Sequence, residues 1–252
     1  MEQGVVERAG VALAFRRSAG RSPCVVFLPG FRSDMEGTKA TALHAACIAR
    51  GQAMLRFDYA GHGASGGVFE EGTIGAWRDD TLAVIDRLTE GKLLLVGSSM
   101  GGWIALLAAL ARPDRLAGLL GLAAAPDFTE ELMWAAMTPP ERAELRRAGV
   151  LMVPSEFGPP LPVTRLLIEE GRRHLLLPRP IGIAAPVRLV HGQADAEVPW
   201  ETALRLAARL ATPDVRLTLI KDGDHRLSRP QDLALITRVL GGMLGWAAAV
   251  PR

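Results

Sequence analysis

Cysteine is nearly absent: Cys24 and Cys47 are the only two in 252 residues, too few for a disulfide framework. That usage fits a reducing compartment, with both thiols read as small buried apolar residues. An excess of one charge is missing too. The formal net charge is +2 at pH 7, and no basic run is interleaved with aromatics, so a nucleic-acid partner is not expected. No apolar stretch of about 18 residues runs free of charges and helix breakers, so no membrane span is expected. The stretch 235–250 comes nearest, but Arg238, Gly241, Gly242 and Gly245 interrupt it. It reads as a closing helix packed on a sheet. The opening MEQGVVERAG lacks the basic-then-apolar order of a signal peptide and resembles no transit segment. A cytoplasmic location is therefore expected. There is no internal repeat and no low-complexity tract.

What is present is a large apolar fraction, 49% of the chain. This suffices for one α/β domain over 1–252 with a full core. Short apolar runs at 24–28, 53–57, 93–96, 116–125, 187–191 and 215–220 read as buried strands. Residues 5–17 read as one or two further short strands with a turn near Ala9-Gly10. Helical spacing at 38–50, 74–88 and 201–210 lies between them, and the alternation predicts a mostly parallel sheet with helices on both faces. Residues 127–185 break the alternation. They are helical and Pro-punctuated, with no clear strand and two helical pieces at 130–149 and 161–177. An insertion there would lie over the C-terminal edge of the strands as a lid. Its mixed charges, such as Glu144 with Arg147, read as ordinary helix-surface pairs.

The chemistry is concentrated in KLLLVGSSMGGWIALLAALAR at 92–112. An apolar strand meets Gly97-Ser98-Ser99-Met100-Gly101, and a helical pattern starts at once. In such a strand–turn–helix the serine of G-x-S-x-G is lifted above the sheet edge, with N–H groups of the helix start beside it. Ser99 is thus the candidate nucleophile. The same pattern recurs at Gly63-Ala64-Ser65-Gly66-Gly67, but Ser65 follows a glycine loop, and Gly66-Gly67 is a poor helix start.

A serine hydroxyl needs an adjacent base. On this kind of turn the partners follow in the order serine, acid, histidine, with the histidine after the last strand. His225, in Asp222-Gly223-Asp224-His225, fits that place. His44 falls within a helix, His62 in a glycine loop, His174 in the insertion, and His191 at a strand end. The base must be held in one tautomer by a carboxylate. Asp195, in the loop after 187–191, is the expected acid, and Asp127, one strand earlier, is its rival. Asp222 and Asp224 read as turn residues, and Asp58 as a residue that stabilises its own loop. The oxyanion hole needs two donors. The backbone N–H of Met100 is one, and that of Phe31, after Pro29-Gly30, is the other.

With these residues in place the chain resembles the α/β-hydrolase superfamily of serine hydrolases. LPGF at 28–31, SDMEGTKA at 33–40, RFDYAGHGASGGVFEEGTIGAWRDD at 56–80, GSSMGGW at 97–103, HGQADAEVPW at 191–200 and DGDHRLS at 222–228 are similar to its acyl-glucuronide esterase and palmitoyl-protein thioesterase subgroup. The resemblance implies an α/β-hydrolase fold and cleavage of small-molecule carboxylic esters or thioesters, with no metal or organic cofactor. Apolar insertion residues, among them Leu132, Met133, Trp134, Met137, Leu166 and Leu167, would line an acyl pocket or simply pack the insertion down. A non-catalytic binding protein on the same fold stands as the alternative. So does a C–C-bond hydrolase or perhydrolase using the same three residues.

Overall fold

Continuous apolar runs become sheet strands here because both faces of the sheet are covered. The computed structural model describes residues 1–154 and 160–249. In chain order, β1 (Glu2–Arg8), β2 (Val11–Ser18) and β3 (Arg21–Leu28) lead to α1 (Thr38–Ala49), β4 (Gln52–Phe57), α2 (Ile74–Leu88), β5 (Leu93–Ser98), α3 (Met100–Ala111) and β6 (Leu116–Leu122). After an interruption, β9 (Val187–Gly192), α6 (Glu201–Arg209), β10 (Val215–Ile220) and α7 (Pro230–Ala249) close the chain. The interruption holds a π-helical turn (Thr129–Trp134), α4 (Pro139–Ala148), β7 (Val150–Val153), β8 (Leu161–Thr164) and α5 (Arg165–Gly171).

The main sheet has eight strands in the order β1-β2-β4-β3-β5-β6-β9-β10. Strands β4 to β10 in that order pair in parallel, and the edge strands β1 and β2 pair antiparallel. Side chains alternate between two cores, as the period of two requires. Leu93 and Leu95 of β5 join Trp77, Trp103 and Leu206 on one face, while Leu94 and Val96 join Leu43, Ile236 and Leu240 on the other. Helix α3 packs against β5, β6 and α2 and is buried on all sides from Met100 to Ala109, as its nearly all-apolar sequence demands. Among the described residues no helix is long and apolar enough to cross a membrane.

Ends of elements follow local chemistry. The Thr73 hydroxyl caps α2 by accepting from Ala76 N at 3.1 Å. Helix α4 has Thr138 and Glu141 in a reciprocal capping box, Pro at its first turn, and left-handed Gly149 at its end. Strand β6 stops at Leu122, three residues before the end of its apolar run, because Ala123 turns at φ 45°.

The expectation that 127–185 contains no strand is corrected by the β7–β8 hairpin, which pairs Val150 with Thr164 and Val153 with Leu161. Each arm is only four residues long, too short for alternation to stand out from the flanking helical pattern. The first expected helical piece is broken at Met137-Thr138, just before Pro139 opens α4, and the second begins as β8 before α5. Residues 155–159 of this stretch, and Val250, the last residue of the expected closing helix, lie outside the described residues. Helix α5 docks on α2 through Glu170, whose carboxylate accepts from Gly75 N at 3.1 Å. A Cβ at Gly75 would come within 2.3 Å of that carboxylate.

Candidate active site

Ser99 sits between β5 and α3 at φ 53°, ψ −121°, a strained conformation for a side-chain-bearing residue. The turn can be this sharp because its flanks are glycines. A Cβ at Gly97 would lie 2.2 Å from Gly101 O, and one at Gly101 would lie 2.1 Å from Leu28 O. The backbone of Ser99 is held independently of its hydroxyl: its N–H donates to Leu122 O at 2.9 Å, and its carbonyl accepts from Gly102 N and Ala125 N.

Three separate loops converge there. His225 Nε2 lies 3.0 Å from Ser99 Oγ, and its Nδ1 lies 2.7 Å from Asp195 Oδ2. A carboxylate only accepts, so Nδ1 carries the proton and Nε2 is left to accept from the hydroxyl. A hydroxyl in this setting can pass its proton to the imidazole as it attacks a carbonyl. The Asp195 side chain is fully buried and receives four donors. Oδ1 accepts from Glu197 N and Val198 N, and Oδ2 accepts from His191 Nε2 at 3.1 Å as well as from His225. Burial alone would raise its pKa, but the bonds from His191 and His225 outweigh that and hold the carboxyl below the usual range.

Met100 is the first residue of α3, so its N–H belongs to the helix start, where no intrahelical partner exists. Phe31 lies on the loop after β3, its ring 5.0 Å from Phe69, 5.9 Å from Trp77 and 5.7 Å from Phe128. Neighbouring Gly30 is close to the serine: a Cβ there would lie 3.9 Å from Ser99 Oγ. Ser99, His225, Phe31 and residues of the 127–185 stretch line one cavity of about 820 Å³. Its apolar lining includes Phe128, Leu132, Met133, Met137, Leu151 and Val153, and its polar lining includes Ser33, Asp34, Lys39, Glu197 and Arg226. Lys39 donates to Arg226 O, and burial lowers its ammonium to about 8 despite the nearby Asp224 carboxylate.

The rival residues are occupied elsewhere. Ser65 Oγ donates to Asp58 O at 2.7 Å and accepts from Ala14 N at 2.8 Å. Asp127 accepts from Leu176 N and Leu177 N, each at 2.8 Å, and so ties the end of β6 to the chain after α5. Asp58 holds Met35 N and Ala64 N, Asp222 pairs with Arg229, and Asp224 accepts from Leu227 N. His44 contacts Ser18 and Arg56, and His174 contacts Glu170. Asp127→Asn is expected to keep kcat for a simple ester within about threefold. It should lose about 1–3 kcal/mol of stability in urea unfolding, the cost of a buried N–H left without its acceptor. A collapse of kcat at unchanged stability would reinstate Asp127 as the acid.

Two residues escaped sequence reasoning. His191 was expected only as a strand-end residue, yet it donates to Asp195; the spacing of four in His191-Gly192-Gln193-Ala194-Asp195 is the signal that could have found it. The sequence shows His62 only within a glycine loop, yet its Nε2 accepts from Arg32 N, next to Phe31.

The family described as Hydrolase_4, serine aminopeptidase S33, matches residues 21–170. The mouse palmitoyl-protein thioesterase ABHD10, named mitochondrial, is 40% identical over 226 residues, which is 89% of this chain and 76% of that protein. The solved structure of mouse alpha/beta hydrolase domain-containing protein 10 superposes with a TM-score of 0.90 at 37% identity, covering 97% of this chain and 99% of that one. A hydrolase structure from Agrobacterium vitis S4 superposes with a TM-score of 0.91 at 40% identity, covering 96% and 97%. The cytoplasmic expectation is overturned, since all five curated relatives that match carry mitochondrial in their names. Scarce cysteine fits a reducing compartment, and it does not separate the cytosol from the mitochondrial matrix, which is also reducing. The alternative of a non-catalytic binding protein falls as well. The chain belongs to the Hydrolase_4 family of α/β-hydrolases and is an enzyme of the serine-hydrolase type.

Proposed function

We infer that this enzyme cleaves fatty-acyl esters or thioesters through an acyl-enzyme on Ser99. The observation that carries the reading is the unbroken hydrogen-bonded row Ser99 Oγ–His225 Nε2 and His225 Nδ1–Asp195 Oδ2, at 3.0 and 2.7 Å. In the first half, Ser99 Oγ bonds to the acyl carbon as its proton moves to His225 Nε2. The N–H groups of Phe31 and Met100 bind the oxyanion. The C–O or C–S bond then breaks, and the leaving oxygen or sulfur takes the proton from Nε2. In the second half, water gives a proton to Nε2 as it bonds to the acyl carbon; the bond from that carbon to Ser99 Oγ then breaks, Oγ takes the proton back from Nε2, and the acid leaves. Asp195 holds the imidazole throughout and stabilises the imidazolium.

In this reading the chain works as one domain over 1–252, with residues 127–185 as a lid whose inner side takes the acyl group. Two observations support an acyl arm. The apolar lining of the cavity comes largely from that stretch, and the mouse relative is named a palmitoyl-protein thioesterase. Each methylene buried there is worth up to about 0.8 kcal/mol, roughly fourfold in kcat/KM. Across p-nitrophenyl esters or acyl thioesters of increasing chain length, kcat/KM is expected to rise and then fall. Val153→Trp, which adds bulk to the apolar lining, should move the optimum to shorter chains. A profile flat in chain length, or an optimum unmoved by Val153→Trp, would remove the acyl-arm reading.

A further inference from the structure

The oxyanion loop is held by a second loop that the reaction itself does not use. Residues 58–67, between β4 and α2, form a rigid platform. Ala60 N donates to Asp80 Oδ2 at 2.9 Å, and Ala60 O accepts from Trp77 Nε1 at 3.1 Å. Gly61 N donates to Gly66 O at 2.8 Å, and His62 N donates to Tyr59 O at 3.0 Å. Besides the bond from Met35 N to Asp58 Oδ1, this platform touches the loop after β3 at two points around Gly30 and Phe31. The Tyr59 hydroxyl donates to Pro29 O at 3.3 Å, and Arg32 N donates to His62 Nε2 at 3.3 Å.

Those two contacts bracket one peptide group. Pro29 O belongs to the Pro29–Gly30 peptide and Arg32 N to the Phe31–Arg32 peptide. Between them lies the Gly30–Phe31 peptide, which carries the N–H of Phe31. Fixing the planes on both sides leaves that N–H little freedom to turn. It needs fixing, because Arg32 stands at φ 55°, a conformation that costs a non-glycine residue energy unless its surroundings enforce it.

We propose that His62 is a positioning residue for hydrolysis, acting through the Arg32 N–H to aim the Phe31 N–H at the oxyanion. The inference rests on the reading of Ser99 and Phe31 given above. The tautomer suits the task. His62 Nδ1 lies 3.2 Å from Ala60 O, which only accepts, so Nδ1 carries the proton and Nε2 keeps its lone pair for Arg32. Burial also pushes the imidazole below its ordinary pKa, despite the Ala60 carbonyl and Asp34, and so favours the neutral, accepting form. The ring is wedged among aromatics, its centroid 5.6 Å from Tyr59 and 5.1 Å from both Phe69 and Trp77. Phe69 and Trp77 are the same rings that pack on Phe31, so one aromatic cluster supports both loops.

His62→Phe keeps an aromatic ring in that cluster and removes the acceptor. His62→Gln places an amide oxygen near the Nε2 position. With p-nitrophenyl butyrate and the full chain, His62→Phe is expected to lower kcat by about 10–100-fold with KM changed less than about threefold, below the loss for deleting an oxyanion donor outright. Binding of a boronic acid that forms a tetrahedral adduct on Ser99 should weaken by a similar factor. His62→Gln should recover at least about tenfold of the lost kcat, as a partner restored at one atom can but a merely refilled space cannot. A folded His62→Phe enzyme with wild-type kcat and boronate affinity overturns the proposal, and so does a Gln variant as slow as the Phe variant. Should His62→Phe not fold, His62→Leu, which also lacks an acceptor, and Tyr59→Phe decide. Tyr59→Phe frees the other side of the same peptide and is expected to lower kcat several-fold at unchanged KM, and an unaltered kcat in both variants ends the proposal. Hydrolysis that survives Ser99→Ala removes the underlying reading and this one together. Loss of hydrolysis in Ser99→Ala with full activity in His62→Phe removes this one alone.

Discussion

Ser99→Ala is expected to lower kcat for p-nitrophenyl butyrate by about 10⁴–10⁶-fold and to leave the thermal midpoint within a few degrees of wild type. Both halves of this expectation come from the same geometry. The hydroxyl lies 3.0 Å from His225 Nε2, and without it the imidazole has no nucleophile to deprotonate at that position. What remains is an oxyanion site acting on water, which accounts for the residual rate. The fold does not depend on the hydroxyl, because the bonds to Leu122, Gly102 and Ala125 are made by the backbone of residue 99. Alanine at φ 53° is no more strained than serine. Ser65→Ala supplies the contrast. Its hydroxyl joins Asp58 O and Ala14 N, so its loss should lower stability and spare kcat. Steady-state rates of the two purified variants, with fluorophosphonate labelling of each, make the measurement. Wild-type turnover by Ser99→Ala, or labelling that survives it, would take the nucleophile away from position 99.

The site was legible in the sequence where one short segment imposes the geometry by itself. Gly97 and Gly101 are needed because backbone carbonyls lie just over 2 Å from where a Cβ would be, and that crowding is written locally as G-x-S-x-G. Chain order then placed Asp195 and His225, and their loops do meet Ser99. The buried strands were legible because a sheet covered on both faces reads as unbroken apolar runs. Elements defined by distant encounters were not. The β7–β8 hairpin is two arms of four residues whose pairing depends on how the chain folds back beyond α4. His62 gains its meaning only from Arg32, thirty positions away, and no periodicity reports such a contact. His191 is an intermediate case. Its partner is four residues on, but on a strand end and loop that spacing does not predict an encounter as it would on a helix.

Asp195→Asn is the sharper test of how the imidazole is held, and it is expected to lower kcat by about 10⁴-fold with little change in KM. Oδ2 of Asp195 accepts N–H groups from both His225 and His191, while Oδ1 accepts two backbone N–H groups. Every polar neighbour is a donor. An asparagine amide brings two hydrogens of its own and can satisfy only one of these sides. With its oxygen on the backbone pair, its NH₂ group faces both imidazoles, and His225 must turn the unprotonated nitrogen toward it. Nε2 then carries the proton, and no base faces Ser99. Asp195 is not among the residues that line the cavity, so KM is expected to be spared. The same four donors set the acid dependence of stability. Burial raises the Asp195 pKa and the donors lower it by more, so the folded value lies below the unfolded one, about 3.9. A depressed carboxylate contributes stability that is fully present above its unfolded value and is lost as the pH falls through the folded value. The stability gap between wild type and Asp195→Asn should therefore be constant near neutrality and narrow on acidification below about pH 4. Urea unfolding of both proteins at several pH values measures this. A gap that does not narrow would mean that the donors do not hold Asp195 ionised, and a kcat that survives the substitution would move the acid to Asp127.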